Sequence, residues 1–329
     1  MKAIVNTRYG SPDVMELKEI EKPTPKTNEV LVKVHATSVN AADWHLLRGT
    51  PAFFRLIEFG FPKPKITILG GDVAGVVEAV GADVTRVKPG DAVFGDIPVS
   101  IGRGAFAEYV AVAETSLAPK PTNISFEQAA ATPLAGVTAL QALRKAGEIH
   151  AGDKVLVNGA TGGVGTFAVQ IAKAYGAEVT GVCNPQKMET VRALGADHVL
   201  DYTKDDFTRN GVQYDVIIDV AASRKASDYA RALAPQGRYV FVGFSSVGHM
   251  IGVNLKGMWI SWRTDKKFIF MGTAQPNQDD LLILKDMLEA GQIVPYIDRT
   301  YPLSGVPDAI RYMESRQIHG KVVIRVAGD

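Results

Sequence analysis

Residues 155–187, VLVNGATGGVGTFAVQIAKAYGAEVTGVCNPQK, restrict the possible folds more than any other stretch of the chain. An apolar strand leads into a glycine-rich turn, an apolar helix follows, and a second strand closes the unit. This order is typical of dinucleotide sites, in which Gly162 lets the backbone approach a pyrophosphate and Gly165 lets the helix pack closely. The N–H groups at the helix start then face the anion. Because Ala160 stands at the usual first glycine, a turn with glycines for geometry alone is the alternative.

The end of the second strand indicates which dinucleotide is bound. Cys183 and Asn184 stand where such folds usually carry an acidic residue, and the next charged residue is Lys187. A carboxylate there would bind the ribose 2′-hydroxyl and repel a 2′-phosphate. An amide and a lysine instead favour the phosphate, and Tyr202 adds a hydroxyl, so we predict NADP(H) as the cofactor. The alternatives are a solvated Lys187 on the next helix and a Tyr202 in the core.

The rest of the chain contains two kinds of pattern. From residue 153, strands alternate with helices, which predicts a parallel doubly wound α/β sheet. Its strands are KVLVNG, EVTGVC, HVLDY, YDVIIDV, GRYVFVG and KFIFMG. The first 120 residues contain short strand-like runs between Gly and Pro, which predict a mostly antiparallel barrel-like domain. Ser125 and Gln128 form a predicted capping box at a helix start. After the helix in QDDLLILKDMLEAGQI we expect strand and loop.

Composition narrows the cellular setting and the class of partner. The 329 residues carry a formal net charge of +1, which argues against binding to nucleic acid or to a membrane surface. Cys183 is the single cysteine, so an internal disulfide and a multi-cysteine zinc site are excluded. The uncharged stretch 155–172 contains glycines and amides that suit a strand and turn better than a membrane span. We therefore expect a soluble cytoplasmic protein.

Several motifs together resemble the medium-chain dehydrogenase/reductase superfamily, and most closely its zinc-independent quinone oxidoreductase branch. The motifs are GGDVAGVVEAVG, KPGDAVFG, GAFAEYV, AATPLAGVTALQAL, GATGGVG, LGADHVLDY and GKVVI. The resemblance implies a GroES-like catalytic domain formed by residues 1–123 and 293–329, with a Rossmann domain at 124–292 between them. It also implies a homodimer or homotetramer, with KFIFMG as the strand at the sheet edge.

The resemblance also bears on metal binding. Zinc members of the superfamily carry an early cysteine and a His-Glu pair, and this chain has Asn40 with Ala41 and Gly71 with Asp72 at those places. A tetrahedral zinc site needs nitrogen or sulfur ligands that these residues lack. We therefore predict that no metal is bound.

Site residues follow from the resemblance one at a time. NAADWHLLRG is similar to the branch's N-P-x-D-x-x-x-R-x-G pattern, which implies that Asn40 lines the substrate cleft near the nicotinamide. Thr138 matches a threonine beside the nicotinamide. Cofactor contacts are implied for a further group of residues, which are Gly163, Val164, Gly243, Phe244, Lys321 and His45. The alternatives are a turn-forming Asn40, a helix-capping Asp43 and a Lys321 at a solvated strand end.

These residues favour one chemistry over two others. Without a zinc ion to polarise an alcohol, hydride transfer from NADPH to an electrophilic acceptor is the simplest reaction. We expect a quinone or an α,β-unsaturated carbonyl as substrate, with Asn40 donating to the developing oxyanion. The aromatic and apolar stretch WHLLRGTPAFFRLIEFGF suggests a hydrophobic substrate. The alternatives are an NADP-dependent alcohol or aldehyde dehydrogenase, and a low-turnover NADPH-binding scaffold or nucleic-acid-binding protein.

Overall fold

The computed structural model describes residues 1–52, 55–98, 103–243 and 246–326. The chain divides into two compact units: residues 1–137 with 275–329, and residues 138–274. The strands, in chain order, are β1 (Lys2–Asn6), β2 (Met15–Glu19), β3 (Glu29–Val39), β4 (Asp72–Val80), β5 (Ala92–Asp96), β6 (Tyr109–Ala113), β7 (Leu117–Pro119), β8 (Lys154–Asn158), β9 (Glu178–Cys183), β10 (His198–Asp201), β11 (Tyr214–Asp219), β12 (Leu233–Phe241), β13 (Lys267–Phe270), β14 (Ile297–Pro302) and β15 (Lys321–Arg325).

Both units contain short and long helices, from five residues in α2 to 17 in α7. The α-helices, in chain order, are α1 (Ala41–Arg48), α2 (Phe126–Ala130), α3 (Pro133–Ala146), α4 (Gly163–Ala174), α5 (Met188–Ala193), α6 (Ala226–Ala232), α7 (Val247–Arg263), α8 (Gln278–Glu289) and α9 (Val306–Glu314). Ser125 precedes α2, and Gln128 N–H donates to its hydroxyl at 3.2 Å while Ser125 N–H donates to Gln128 Oε1 at 3.0 Å. This confirms the predicted capping box.

Among the described residues, the second unit contains a six-stranded sheet in the order β10-β9-β8-β11-β12-β13. The neighbouring strands in it are parallel, which confirms the predicted doubly wound sheet. The central strands are apolar along their length because helices cover both faces of such a sheet. In β8, for example, Val155, Leu156 and Val157 are all fully buried. Strand β13 lies at one end of this order.

The first unit is built on a mostly antiparallel sheet, as the sequence predicts. Among the described residues its strand order is β14-β15-β3-β4-β5-β7, and β6 also pairs with β3. The pairing of β14 with β15 is parallel, and β15 is antiparallel to β3. The C-terminal strand β15 therefore joins the N-terminal half of the chain in one sheet, which brings Lys321 beside residues of β3.

Two helices differ from the sequence expectation. The segment after α8, predicted as strand and loop, contains α9, whose residues Val306, Ala309 and Ile310 are buried on one face. Their i, i+3, i+4 spacing is that of an amphipathic helix, but Pro307 near its start and its short length obscured the pattern. The long helix α7 occupies a segment for which the sequence analysis named no helix.

The hydrogen bonds of α8 join it to residues of the first unit. The Asn123 amide donates to Leu288 O at 3.1 Å, and the Gln278 amide donates to Leu117 O at 2.7 Å. Residues 124–137 and 275–292 group with the first compact unit, and the domain bounds given in the sequence analysis stay a prediction. Within the described ranges, none of the helices is long and apolar enough to span a membrane.

Candidate active site and cofactor-binding turn

A buried carboxylate, Asp72, forms the centre of a polar cluster in the first unit. Its Oδ2 accepts hydrogen bonds from the Asn40 amide at 2.7 Å, from the Lys321 ammonium at 3.2 Å and from the Ser38 hydroxyl. Its Oδ1 accepts from the backbone N–H of Leu134, in the first turn of α3, at 2.7 Å. We call Ser38, Asn40, Asp72 and Lys321 the Asp72 cluster. Its members come from β3, the start of α1, β4 and β15.

Asn40 is held through both its backbone and its side chain. It occupies the N-cap position of α1, and its N–H donates to Asp43 Oδ2 at 2.8 Å. This confirms the alternative that Asp43 caps the helix, and Asp43 Oδ1 also accepts from Gly70 N–H at 2.8 Å. The Asn40 side-chain oxygen accepts from Lys321, and its amide nitrogen donates to Asp72. A second contact of that nitrogen, to Ser38 O, is 3.4 Å long and therefore weak.

The charges around the cluster are unequal, because the single ammonium of Lys321 faces several carboxyl groups. Burial raises the pKa of Asp43 to about 7, against the two backbone N–H donors that lower it. Burial also raises the pKa of Asp96 well above its ordinary value, and the negative charge of Asp72 adds to that rise. Asp96 lies directly opposite Asp72 on β5. Among these carboxyl groups, Asp72 is the one that bonds directly to Lys321.

Lys321 is buried, whereas the alternative from the sequence was a solvated residue at a strand end. Its side chain is only 2% exposed, because β15 lies between β14 and β3 in the sheet. That alternative is therefore wrong. The structure brings Lys321 into contact with Asn40. The resemblance implied a cofactor contact for Lys321 and a place near the nicotinamide for Asn40. Thr138, on α3, is partly buried.

The glycine turn of the second unit has the geometry of an anion-binding turn. Gly159 has a φ of +85°, a conformation that favours glycine, so it takes the tight-turn role that Ala160 lacks. A Cβ on Gly165 would lie 2.1 Å from Gly159 O, so the helix approaches the turn only because this residue is glycine. The N–H groups of Gly159 and Ala160 both donate to Val182 O at 3.1 Å, which fixes the turn to β9.

The open side of the turn is the start of α4. Gly162 is its N-cap, and the first intrahelical bond from this cap runs from Thr166 N–H to Gly162 O at 2.9 Å. The N–H groups of Gly163 and Val164 belong to the first helical turn, where α-helices have no intrahelical acceptor. For a Cβ on Gly162 the nearest described atom would be Gly159 O, at 3.6 Å, so the backbone here is accessible. The turn therefore fits a pyrophosphate.

The residues predicted to recognise the 2′-phosphate share one edge of the sheet. Cys183 of β9 is paired in register with Asp201 of β10, and Asn184 and Tyr202 follow them directly. Tyr202 N–H also donates to Cys183 O at 3.2 Å. The Asn184 side-chain oxygen accepts from Gln186 N–H at 3.0 Å, which leaves its amide nitrogen as the group that can donate to a ligand. Tyr202 is 55% exposed, so the alternative that it belongs to the core is wrong.

Lys187 ends the short 3-10 turn after Asn184. It is 8% exposed, so the alternative of a solvated helix residue is wrong as well. Its positive charge lowers the pKa of Cys183, but burial and the charge of Asp201 outweigh it and raise that pKa to about 11. The carboxylate of Asp201 accepts from Thr203 N–H at 2.9 Å and from its hydroxyl at 2.7 Å, and thus has its own local partners.

A second buried carboxylate, Asp219, was not identified from the sequence. It ends β11 opposite Asn158 of β8, accepts from the Asn158 amide at 2.8 Å and accepts from the Tyr239 hydroxyl at 2.8 Å. Burial raises its pKa and that of Tyr239. Gly243 N–H donates to Asp219 O at 3.1 Å, and a Cβ on Gly243 would meet Val220 O at 2.2 Å. The sequence does carry a signal for this contact. Each of the two apolar strands ends in a polar residue, Asn158 in VLVN and Asp219 in VIID.

Two predicted cofactor contacts, Phe244 and His45, and the predicted absence of a metal remain to be compared with the structure. Phe244 lies outside the described residues. His45 Nδ1 lies 3.2 Å from Thr50 O, and burial lowers its pKa. Over the part of the chain that the structure describes, no group of three or more His, Cys, Asp or Glu residues is arranged to hold a metal ion.

Comparisons with known proteins match both units. Residues 26–122 match the family model for the alcohol dehydrogenase GroES-like domain, and residues 194–324 match that for zinc-binding dehydrogenase. The chain is 37% identical to 2-methylene-furan-3-one reductase of Solanum lycopersicum, over 98% of this chain and 79% of the relative. It is 36% identical to the chloroplastic NADPH-dependent alkenal/one oxidoreductase of Arabidopsis thaliana, with the same coverage of 98% and 79%. The solved structure of Escherichia coli quinone oxidoreductase complexed with NADPH superposes with a TM-score of 0.83 at 26% identity, covering 99% of this chain and 100% of that one.

Proposed function

The chain belongs to the medium-chain dehydrogenase/reductase superfamily, in its quinone oxidoreductase-like branch, and from that premise we propose that it is an NADPH-dependent reductase of quinones or α,β-unsaturated carbonyls. The observation that carries the proposal is the pair of features at the sheet edge of the second unit. There the open turn at Gly162 meets the requirements of a pyrophosphate. The neighbouring strand end has Asn184 and Lys187 in place of an acid.

The cofactor specificity follows from charge. Lys187 supplies a positive charge at the end of β9, and the Asn184 amide nitrogen and the exposed Tyr202 hydroxyl supply hydrogen-bond donors. A 2′-phosphate gains charge-assisted hydrogen bonds from such a set, whereas a 2′-hydroxyl does not. The Arabidopsis relative is an NADPH-dependent enzyme and the E. coli structure is a complex with NADPH, which supports the same preference.

The first unit supplies the proposed catalytic group. Bound NADPH would supply a hydride to the acceptor. The acceptor oxygen then becomes negatively charged, and an N–H donor held in a buried site stabilises that charge. Asn40 offers such a donor, because one N–H of its amide faces Asp72 and the other makes only the weak 3.4 Å contact to Ser38 O. Thr138 is the second proposed contact of the reacting groups, and solvent supplies the proton.

We propose that the reaction needs no zinc, although one matching family model is that of zinc-binding dehydrogenases. The Asp72 cluster offers carboxylate, hydroxyl, amide and ammonium groups, whereas catalytic zinc sites use imidazole or thiolate ligands as well as carboxylates. Lys321 already bonds to both Asp72 and Asn40, and its positive charge would repel a cation there. These residues do not fit zinc. The alternative of an alcohol dehydrogenase that relies on a metal-bound alkoxide has no ligand set here.

We propose a homodimer that forms through the β13 edge and the neighbouring face of α7. Exposed apolar side chains are concentrated there, and contiguous exposed apolar surface marks an interface. Those on α7 include Leu255, Met258, Trp259 and Trp262, of which Trp262 is 79% exposed. Light scattering on wild type and on Trp262→Asp tests this: we expect a dimer that becomes monomeric. A monomeric wild type would refute it.

A cytoplasmic location is also part of the proposal. It rests on the single cysteine, which is buried and typical of proteins in a reducing compartment. Fractionation of the source cells with an antibody tests it, and recovery in an organelle or envelope fraction would refute it.

Steady-state kinetics test the proposed reaction. Purified protein is mixed with NADPH or NADH and with a benzoquinone, an aliphatic enone or an aldehyde, each with and without a chelator. We expect NADPH oxidation with the quinone or the enone, at rates that the chelator leaves unchanged. Metal-dependent oxidation of alcohols by NADP⁺ would favour the alternative dehydrogenase. An absence of turnover with NADPH bound would favour the scaffold.

A further inference from the structure

The Asp72 cluster does more than fill a buried space, because its charges determine how the Asn40 amide is oriented. The side chains of Asp72 and Lys321 are 0% and 2% exposed, so their charges act on each other and on the amide with little screening from water. The Asn40 oxygen faces the ammonium, and the Asn40 nitrogen faces the carboxylate.

We propose that the Asp72–Lys321 ion pair is a positioning device that holds the Asn40 amide in one of its two possible orientations. Rotating the amide by 180° would place its oxygen against the Asp72 carboxylate and its N–H groups against the Lys321 ammonium. Both contacts would be repulsive. With neutral neighbours the two orientations would be much closer in energy, because an amide can bond either way round. The inference rests on the proposed function, in which Asn40 is the donor to the acceptor oxygen.

The backbone of Asn40 is positioned by a separate device. Asp43 accepts the Asn40 N–H and so fixes where α1 begins. The bonds of Asp43 lie on the main chain of Asn40, whereas those of Asp72 and Lys321 lie on its side chain. The ion pair can therefore be changed while the cap that fixes the Asn40 backbone is retained.

A purely structural role for the ion pair makes a different prediction. Buried ion pairs are weak sources of stability, and their replacement by neutral residues of similar size is often neutral or stabilising. Removing only one partner leaves an uncompensated buried charge and is strongly destabilising. If the pair serves stability alone, a double neutral variant that recovers stability should recover activity as well. If it positions Asn40, stability returns and activity does not.

The test uses Asp72→Asn, Lys321→Gln and the double variant, each characterised by its urea unfolding midpoint, NADPH dissociation constant, kcat and KM. We expect the single variants to be destabilised and the double variant to regain most of the loss. In the double variant kcat should remain about 10- to 100-fold below wild type, the range for a misplaced catalytic donor. The NADPH dissociation constant of each variant separates any loss of cofactor binding through Lys321 from the loss of kcat, which is measured at saturating NADPH. A double variant with wild-type kcat would overturn the proposal.

A matched control is the bidentate ion pair between Arg48, at the far end of α1, and Glu314, whose two bonds are 2.9 and 3.0 Å long. Arg48→Gln/Glu314→Gln removes an ion pair from the same helix and should leave kcat unchanged; a kcat loss equal to that of the cluster double variant would count against a specific role. If the cluster double variant does not fold, Lys321→Arg and Lys321→Gln are compared. Arginine keeps the charge and should keep most of kcat. Equal losses in the two variants would overturn the proposal.

A readout that does not depend on turnover separates this inference from the proposed function. The side-chain amide signal of Asn40 in a ¹⁵N spectrum is assigned by its loss in Asn40→Asp. We expect it to move in the cluster double variant and to stay in place in the Arg48/Glu314 control. An unchanged signal would show that the ion pair does not orient the amide, whatever the enzyme reduces. A wild type that reduces neither acceptor would refute the proposed function alone.

Discussion

Two glycines of the cofactor turn, Gly162 and Gly165, give opposite predictions on substitution by alanine. A Cβ on Gly165 would lie 2.1 Å from Gly159 O and 2.9 Å from Ala160 Cα, both backbone atoms that no side-chain rotation can move away. Ordinary contact begins near 3.4 Å, so the helix and turn must separate by about 1.3 Å. Overpacking of this kind costs about 1–3 kcal/mol. The better helix propensity of alanine offsets at most about 1 kcal/mol of it.

Gly162→Ala changes the open side of the same turn. Its Cβ would lie 3.6 Å from Gly159 O, and the φ of −77° is ordinary for any residue. We expect a stability loss below about 1 kcal/mol, from the poorer N-cap preference of alanine. The added methyl group would occupy the space where a pyrophosphate approaches the backbone. NADPH affinity should therefore fall at least about tenfold, which corresponds to about 1.4 kcal/mol.

Urea unfolding without cofactor and fluorescence titration with NADPH measure the two effects separately. The expected result is that Gly165→Ala loses mainly stability, with weaker binding because the turn is displaced. Gly162→Ala should lose mainly binding, with an unfolding midpoint that falls less than that of Gly165→Ala. Wild-type NADPH affinity in Gly162→Ala would refute the assignment of this turn to the pyrophosphate. An unchanged unfolding midpoint in Gly165→Ala would refute the packing argument.

Three further predictions concern single side chains. Lys187→Ala should weaken NADPH binding by about 1–3 kcal/mol and leave NADH binding unchanged, whereas Asn184→Asp should shift the binding preference towards NADH. Equal effects of either substitution on the dissociation constants of both cofactors would contradict the 2′-phosphate site. Cys183, with a pKa raised to about 11, should react slowly with a thiol reagent at pH 8 until urea unfolds the chain, and rapid labelling of folded protein would contradict its burial. Asp43 has a folded pKa of about 7 against an ordinary value of 3.8, so it binds its proton more tightly when folded and its contribution to stability should fall as pH rises from about 4 to 7. The urea unfolding midpoint should therefore fall less steeply with pH in Asp43→Asn than in wild type. The variant is itself destabilised by about 1–3 kcal/mol, because an N–H group replaces one of the two acceptor oxygens. An equal dependence of the midpoint on pH in the two proteins would contradict the raised pKa of Asp43.

The sheet of the second unit could be predicted from the sequence because its information is local. The central strands β8 and β11 are continuous apolar runs, as at residues 155–157, and each is followed by a turn. The order of the strands depends on pairing between distant segments, and no local pattern encodes it. The same limit applies to α7. Its apolar residues lie on the buried side, as at Val253 and Ile260, and also on the exposed side, as at Trp259 and Trp262, so the segment lacks the contrast between an apolar and a polar face that identifies an amphipathic helix.

The candidate site shows the same division between local and distant information. The glycine turn and the residues after β9 are contiguous in the sequence, and a strand-turn-helix pattern is enough to indicate their chemistry. The Asp72 cluster is assembled from positions 32 and 249 residues apart from Asp72, on separate elements of one sheet and its helices. Motif resemblance identified Asn40 and Lys321 separately, and treated Asp72 only as a residue that differs from a zinc-family glutamate.

The burial of Lys321 explains why Asp72 is an acid, which the motif comparison left without a reason. A buried ammonium requires a partner of opposite charge, because an isolated charge in this position would be strongly destabilising. Asp72 meets that requirement, and its remaining oxygen accepts from the start of α3. The oppositely charged groups of the cluster are therefore the Asp72 carboxylate and the Lys321 ammonium, which are in direct contact. Asn40 lies between these two charges, so the orientation of its amide follows from the same charge balance that allows Lys321 to be buried.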